Sequence, residues 1–272
     1  MKLTVLMENN AIVGNYMTSE SALSFFLEVD GKRVLWDMGY SGAYIENAMK
    51  LGIDLTDLDF VVLSHGHYDH TNGIYHYIKY VTEKRAKKKV IKKPIMIMHP
   101  DAMIPKITPV GNIGMMLSEE ELSHYFDLQF SKQGMNITEN LFFLGEIERK
   151  NDFEKVTAAS LGNRQDSLLE DTALAYKTAE GIVVVAGCSH AGICNTCEQA
   201  KKVTGESKII DIIGGFHLLG PEKAIIDKTV EYLASLGLES IHPCHCTDLS
   251  SKIAIGKAIP VKEVGVGKVF EY

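Results

Sequence analysis

The chain has 272 residues, enough for one two-halved domain with a modest insertion rather than two independent domains. Its composition, 46% hydrophobic and 23% charged with a mean hydropathy of +0.00, is that of an ordinary globular protein, and no apolar run reaches the roughly 18 residues a membrane span needs. A net charge of −7 and a pI of about 5.8 speak against a general nucleic-acid binder.

Taken in order, the first residues, Met1 to Glu8, read as a strand and lack the apolar core and cleavage site of a secretory signal, so a cytoplasmic location is expected. Leu3–Met7, Ser24–Val29 and Arg33–Asp37 are expected strands, the last two joined through the turn Asp30-Gly31. Tyr44–Leu51 has apolar residues at helical spacing and stops at Gly52. Asp59 to Ser64 reads as a buried strand, Gly73–Val81 as a helix, and Ile95–His99 as a strand closed by Pro100.

Lys79 through Lys93 carries eight Lys/Arg, readable as a solvated helix end or as a basic rim that attracts an anionic substrate. Around residues 101–135 the periodicity weakens, and an inserted lid or interface segment is expected. The second half resumes the β-rich style. Thr172–Thr178 and Gly181–Gly187 form a hairpin, Cys194–Val203 and Pro221–Leu236 are helices, and Ile209–Ile213 and Ser240–Pro243 are strands. There is no repeat of fixed period. Two β-rich halves covered by helices imply a layered α/β architecture.

The chemistry concentrates in His65-Gly66-His67-Tyr68-Asp69-His70, directly after a buried strand. Imidazole suits zinc or ferrous iron, and a carboxylate suits harder ions. His65 and His67 can face one ion, and Asp69 and His70, at the start of the next helix, a second. Three later segments each put a histidine just beyond a strand, where open α/β sheets place their sites: Cys188 to His190, Gly214 to Leu218, and His242 to Thr247. His99 does the same more weakly.

The H-x-H-x-D-H segment resembles the signature of the metallo-β-lactamase superfamily, and the G-C-S-H, G-G-F-H-L and H-C-T segments resemble one branch of it. That branch holds dihydropterin–ribofuranosylaminobenzene phosphate synthases and metal-dependent hydrolases. The resemblance implies a four-layer αββα sandwich over residues 1–272 and one or two metal ions, Zn2+ or Fe, bound by His65, His67, Asp69 and His70. It adds His190 and His245, and more weakly His217 and Cys188, as further ligands. It also implies that Asp69 is catalytic and that Asp37, in Trp36-Asp37-Met38-Gly39, supports the metal loop.

Cys188 stands where the wider superfamily has a bridging Asp, with Asp211 as a possible substitute. The expected activity is hydrolysis of an ester or phosphate-type bond, or a condensation with loss of pyrophosphate. The expected substrate is a small, anionic molecule, contacted by the basic run at Lys84–Lys93 and by Arg164. No nucleic-acid or membrane partner is expected, and a homo-oligomer is allowed.

Five cysteines without a signal peptide argue against a disulfide framework. Cys194, Cys197, Cys244 and Cys246 leave two readings open. They are reduced half-buried thiols, or, because Cys188-x5-Cys194-x2-Cys197 approaches a plant-ferredoxin spacing, they hold iron or an iron–sulfur cluster. The superfamily's ferredoxin-like member supplies the precedent for an electron-transfer or redox alternative.

Overall fold

The computed structural model describes residues 1–272 apart from 88, 110, 155–158, 162–163 and 167, and apart from the side chains of 159–161 and 164–166. The chain forms two compact units, Met1–Ser131 with Ser160–Asp166 and Gly265–Glu271, and Lys132–Ala159 with Ser167–Val264 and Tyr272.

The first unit is built on a seven-stranded sheet in the order Val269–Glu271, Lys2–Met7, Ser24–Val29, Lys32–Trp36, Phe60–Val62, Ile95–Met98, Asp127–Phe130. The first three pairings are antiparallel and the last three parallel. Asp30 and Gly31, both at positive φ, make the tight turn between Ser24–Val29 and Lys32–Trp36. Helix Ala43–Lys50 turns Tyr44, Ile45 and Ala48 inward, and helix Gly73–Ala86 does the same with Ile74, Tyr77 and Val81. These side chains meet Leu35, Val61 and Met96 of the sheet in one apolar cluster.

Part of the stretch expected to be an insertion belongs to this sheet. Asp127–Phe130 pairs in register with Ile95–Met98, and Leu128 and Phe130 pack against the core. Its alternation of polar and apolar residues is that of a half-covered edge strand, which reads weakly from sequence. Elsewhere in the stretch are the short hairpin Ile107–Thr108 with Gly111–Asn112 and the helix Glu119–Ser123, which opens with a capping box between Ser118 and Glu121.

The second unit holds a six-stranded sheet in the order Met135–Asn136, Leu141–Phe143, Ala173–Lys177, Ile182–Ala186, Ile209–Gly215, His242–Cys244. Its first three pairings are antiparallel and its last two parallel. Ile182–Ala186 is buried at every position, as a central strand covered on both faces must be.

Helix Ile193–Thr204 ends at Gly205 in the left-handed conformation. Its N-terminus is capped from a distance, because the Glu154 carboxylate accepts from the backbone N–H of Cys194 at 2.8 Å and of Asn195 at 2.9 Å. Helices Lys223–Ser235 and Leu249–Gly256 add Leu233 and Ile255 to the unit's core. Among the described residues no helix is long and apolar enough to cross a membrane.

Candidate functional site

In the first unit, Asp37, Ser64 and His99 follow directly on, or within two residues of, the ends of three adjacent parallel strands, Lys32–Trp36, Phe60–Val62 and Ile95–Met98. Asp37 is fully buried and adopts a left-handed backbone, φ 55°. Its carboxylate accepts from Ser64 N–H at 2.8 Å and from Ser64 Oγ at 2.7 Å, and lies 2.7 Å from His70 Nδ1. Ser64 Oγ also lies 2.8 Å from His65 Nδ1.

The proton order follows from chemistry. A carboxylate only accepts, so His70 Nδ1 carries a proton and the Ser64 hydroxyl gives its own to Asp37. The serine oxygen can then only accept from His65 Nδ1–H. Both imidazoles are thereby fixed with the proton on Nδ1 and the lone pair on Nε2. This is the arrangement in which metal-ligating histidines are held by a carboxylate behind them.

His65 Nε2 lies 3.0 Å from His67 Nδ1, the His65 and His70 ring centroids are 4.3 Å apart, and His70 Nε2 lies 3.8 Å from Asp69 Oδ2. Four side chains with potential donor atoms are thus brought together. Gly66 permits it for a reason the sequence did not reveal. A Cβ there would come within 2.4 Å of the Ala102 carbonyl oxygen, so only glycine lets the 99–103 turn pack under the loop. His99 caps that turn, its Nδ1 accepting from Asp101 N–H at 3.0 Å.

In the second unit, the donors again sit at the ends of parallel strands, Ile182–Ala186, Ile209–Gly215 and His242–Cys244. Donor atoms of Cys188, His245 and Cys246 all lie within 4.8 Å of one another. His217 donates its backbone N–H to Cys246 Sγ at 3.3 Å, and the His190 and His217 ring centroids are 4.2 Å apart. Although burial pushes a thiol up, its contacts with Cys188 and His217 and the charges of His245 and His217 hold the Cys246 thiol well below its usual range.

Backbone strain marks the same places. Among the described residues, seven non-glycine residues have positive φ, and four of them are Asp37, Ser189, His217 and His245. Such conformations cost about 1–3 kcal/mol each and persist where the surroundings enforce them.

Asp171 escaped the sequence reading. It is buried, and its Oδ2 accepts from Ala191 N–H at 2.9 Å, with a further bond from the His190 N–H. It therefore shapes the loop that carries His190. Burial, offset by those two bonds, pushes its carboxyl up to about 7, and Oδ1 has no hydrogen-bond partner among the described residues. No local pattern announces it, since its partners lie some twenty positions ahead. Beside His190 and His217 a cleft of ≈ 290 Å³ is lined by Phe153, Phe216, Leu218 and Glu154.

Several expectations are redistributed. Asp211 is engaged elsewhere: its carboxylate lies 2.8 Å from His242 Nδ1 and accepts from Tyr272 OH at 2.6 Å, which removes it as a substitute bridging ligand. The cysteines do not form one set. Cys194 and Cys197 lie in the apolar core of the second unit, where burial and the neighbouring Glu154 push both thiols up, and Cys244 is buried at the end of its strand. Among the described residues none of these three joins a group of three donors, so the ferredoxin-like spacing is not assembled in space.

The basic run is largely held by its own chain. Lys89, Lys92 and Lys93 pair with Asp54, Asp59 and Asp127, and Lys84 and Arg85 lie over Tyr80 and Tyr125. The Arg164 side chain, and Lys88 within the run, lie outside the described residues.

A family model described as the metallo-β-lactamase superfamily matches residues 18–96. A protein of Methanocaldococcus jannaschii named 7,8-dihydropterin-6-methyl-4-(beta-D-ribofuranosyl)-aminobenzene-5'-phosphate synthase is 30% identical over 267 residues, covering 93% of this chain and 89% of its own. An uncharacterised protein of the same organism is 29% identical over 98% of both chains. The solved structure of Tm1679, described as a metal-dependent hydrolase of the β-lactamase superfamily, matches with a TM-score of 0.84 at 28% identity, covering 100% of this chain and 99% of that one. Sequence likeness along nearly the whole length and likeness of fold agree with the motif geometry: the chain belongs to the metallo-β-lactamase superfamily.

Proposed function

We propose that the chain is a metal-dependent hydrolase that cleaves an ester or phosphate-type bond. One or two divalent ions would be held by His65, His67, Asp69 and His70 of the first unit. The observation that carries this reading is the bonding of His65 through Ser64, and of His70 directly, to Asp37, which puts the lone pair of both rings on Nε2. Neutral imidazoles tied back at Nδ1, with a carboxylate alongside, are a donor set that zinc or ferrous iron takes, so the residues fit the group.

Bound there, the ion supplies Lewis-acid stabilisation of charge on the attacked group and activation of water. The chain's own residues do the rest. Asp37 fixes both rings before substrate arrives, so little reorganisation accompanies the reaction. Asp69, whose side chain is 24% exposed, takes up the proton released by the attacking water.

The synthase-named relative supports a second reading, a condensation with departure of pyrophosphate, in which the same ligands hold the leaving group. Pyrophosphate released from a diphosphate ester only when an aminobenzene acceptor is present would favour it. Plain turnover of bis(p-nitrophenyl) phosphate or p-nitrophenyl acetate by zinc- or iron-loaded protein favours hydrolysis. In either case His67→Ala is expected to lose most of the bound metal and the turnover with it. Unchanged metal stoichiometry in that variant overturns the assignment.

A further inference from the structure

Two of the five cysteines stand apart from the other three by geometry. Cys188 follows Ile182–Ala186, and Cys246 follows His242–Cys244, the two strands that flank Ile209–Gly215. Between them sits Gly215, where a Cβ would come within 2.6 Å of Cys246 Sγ and 3.3 Å of the Cys188 Cα. The glycine thus leaves room for the Cys246 sulfur beside the Cys188 backbone. Donor atoms of Cys188, Cys246 and His245 lie within 4.8 Å of one another. Ligands around a tetrahedral zinc lie about 3.3–3.8 Å apart, given Zn–S and Zn–N bonds of about 2.3 and 2.0–2.1 Å, so a modest contraction suffices.

The surroundings suit sulfur as a ligand. Cys246 Sγ receives the His217 N–H at 3.3 Å, a bond that favours sulfur in its anionic form. In the metal-free chain the Cys246 thiol donates to the Cys188 carbonyl oxygen at 3.4 Å, and a bound metal would take the place of that proton. The loops are held in left-handed backbone at Ser189, His217 and His245, and Ser189 Oγ donates to the Gly215 carbonyl at 2.8 Å. These bonds fix the three donors' positions independently of any ion.

We infer that Cys188, His245 and Cys246 form a thiolate-bearing site for a borderline-soft divalent metal, zinc or ferrous iron, with two sulfurs and one imidazole as protein ligands. Three donors leave a fourth tetrahedral position for an exogenous ligand. Sulfur ligation discriminates against magnesium, calcium and manganese, which prefer oxygen. This deepens the proposed function and rests on it only in that both require a bound metal.

The test uses cobalt(II) as a spectroscopic stand-in for zinc. Metal-free protein, kept reduced and anaerobic, is titrated with cobalt(II), and the near-ultraviolet thiolate-to-cobalt charge-transfer band is recorded. The band is expected in the wild type, at about half intensity in Cys188→Ser and in Cys246→Ser, and absent in the double variant. Cys194→Ser and Cys197→Ser should keep it whole. Cobalt bound without the band, or a band that survives the double substitution, overturns the inference.

A second measurement on the wild type covers variants that fail to fold. Zinc should protect Cys188 and Cys246 from iodoacetamide, read by mass spectrometry, and equal alkylation with and without zinc overturns the inference. The two readings fail separately. Turnover without a charge-transfer band leaves the hydrolase standing and removes the thiolate site, and a band without turnover does the reverse.

Discussion

The two units place their donors at the same kind of position and hold them by different means. In each, the chemistry sits at the ends of adjacent parallel strands. In the first unit a buried carboxylate does the holding. The Asp37 carboxylate engages Ser64 twice and His70 once, and so aims the two imidazoles. In the second the backbone does it: Ser189, His217 and His245 adopt left-handed conformations, Gly215 makes room, and Asp171 binds peptide N–H groups rather than rings. One cluster is tuned through side-chain protons, the other through chain geometry. The first should therefore be sensitive to charge and the second to shape.

The sharpest way to break the contrast is Asp37→Ala. It leaves His70 and Ser64 buried without their acceptor, which should cost about 1–3 kcal/mol of stability for each group. It should also weaken metal binding about 10–100-fold in the protein that still folds. Denaturant unfolding and competitive zinc titration read the two effects. Native-like affinity with intact stability would mean that Asp37 is a spectator.

Gly215→Ala tests the second unit by shape alone. The added methyl meets the Gly187 carbonyl at 2.5 Å and Cys246 Sγ at 2.6 Å, and overpacking of this kind costs about 1–3 kcal/mol. Cobalt binding should shift with stability, whereas an alanine accepted without loss would remove the steric argument for the glycine.

The last effect concerns Asp171, and it appears as a pH dependence. Burial holds its carboxyl up at about 7, so the folded chain favours the protonated form that an unfolded Asp releases near about 4. Its contribution to stability is therefore complete below about pH 4 and is lost as pH rises through about 7. The thermal midpoint of metal-free protein should fall across that window, and Asp171→Asn, which keeps an acceptor for Ala191, should flatten the fall. Parallel curves for the two proteins would count against a buried, protonated Asp171.

What the sequence disclosed follows the same division. His65, His67, Asp69 and His70 were readable because their chemistry is contiguous, and Asp37 because the motif around it resembles one whose role is known. The hairpin at Asp30-Gly31 and the helical spacing of Tyr44–Leu51 were local signals that local structure honoured. The rest depended on partners distant in the chain. Asp171 acts on residues 190 and 191, Glu154 caps a helix forty positions on, and Gly66 answers to Ala102. Left-handed φ at Ser189, His217 and His245 carries no letter code, because glycine usually announces it. Asp127–Phe130 was hidden by the glycine- and methionine-rich stretch before it, although its alternation was that of an edge strand.

The division of each sheet into antiparallel and parallel parts also bears on the order of assembly. The antiparallel pairs include short hairpins, such as Ser24–Val29 with Lys32–Trp36, that bring near neighbours together. The parallel pairs close long crossovers, from Trp36 to Phe60 and from Val62 to Ile95. Loop-closure entropy makes such pairings slow to form. The donor loops hang from these late-forming strands, so the chain should acquire its affinity for metal at the end of folding, after most of its surface is already buried.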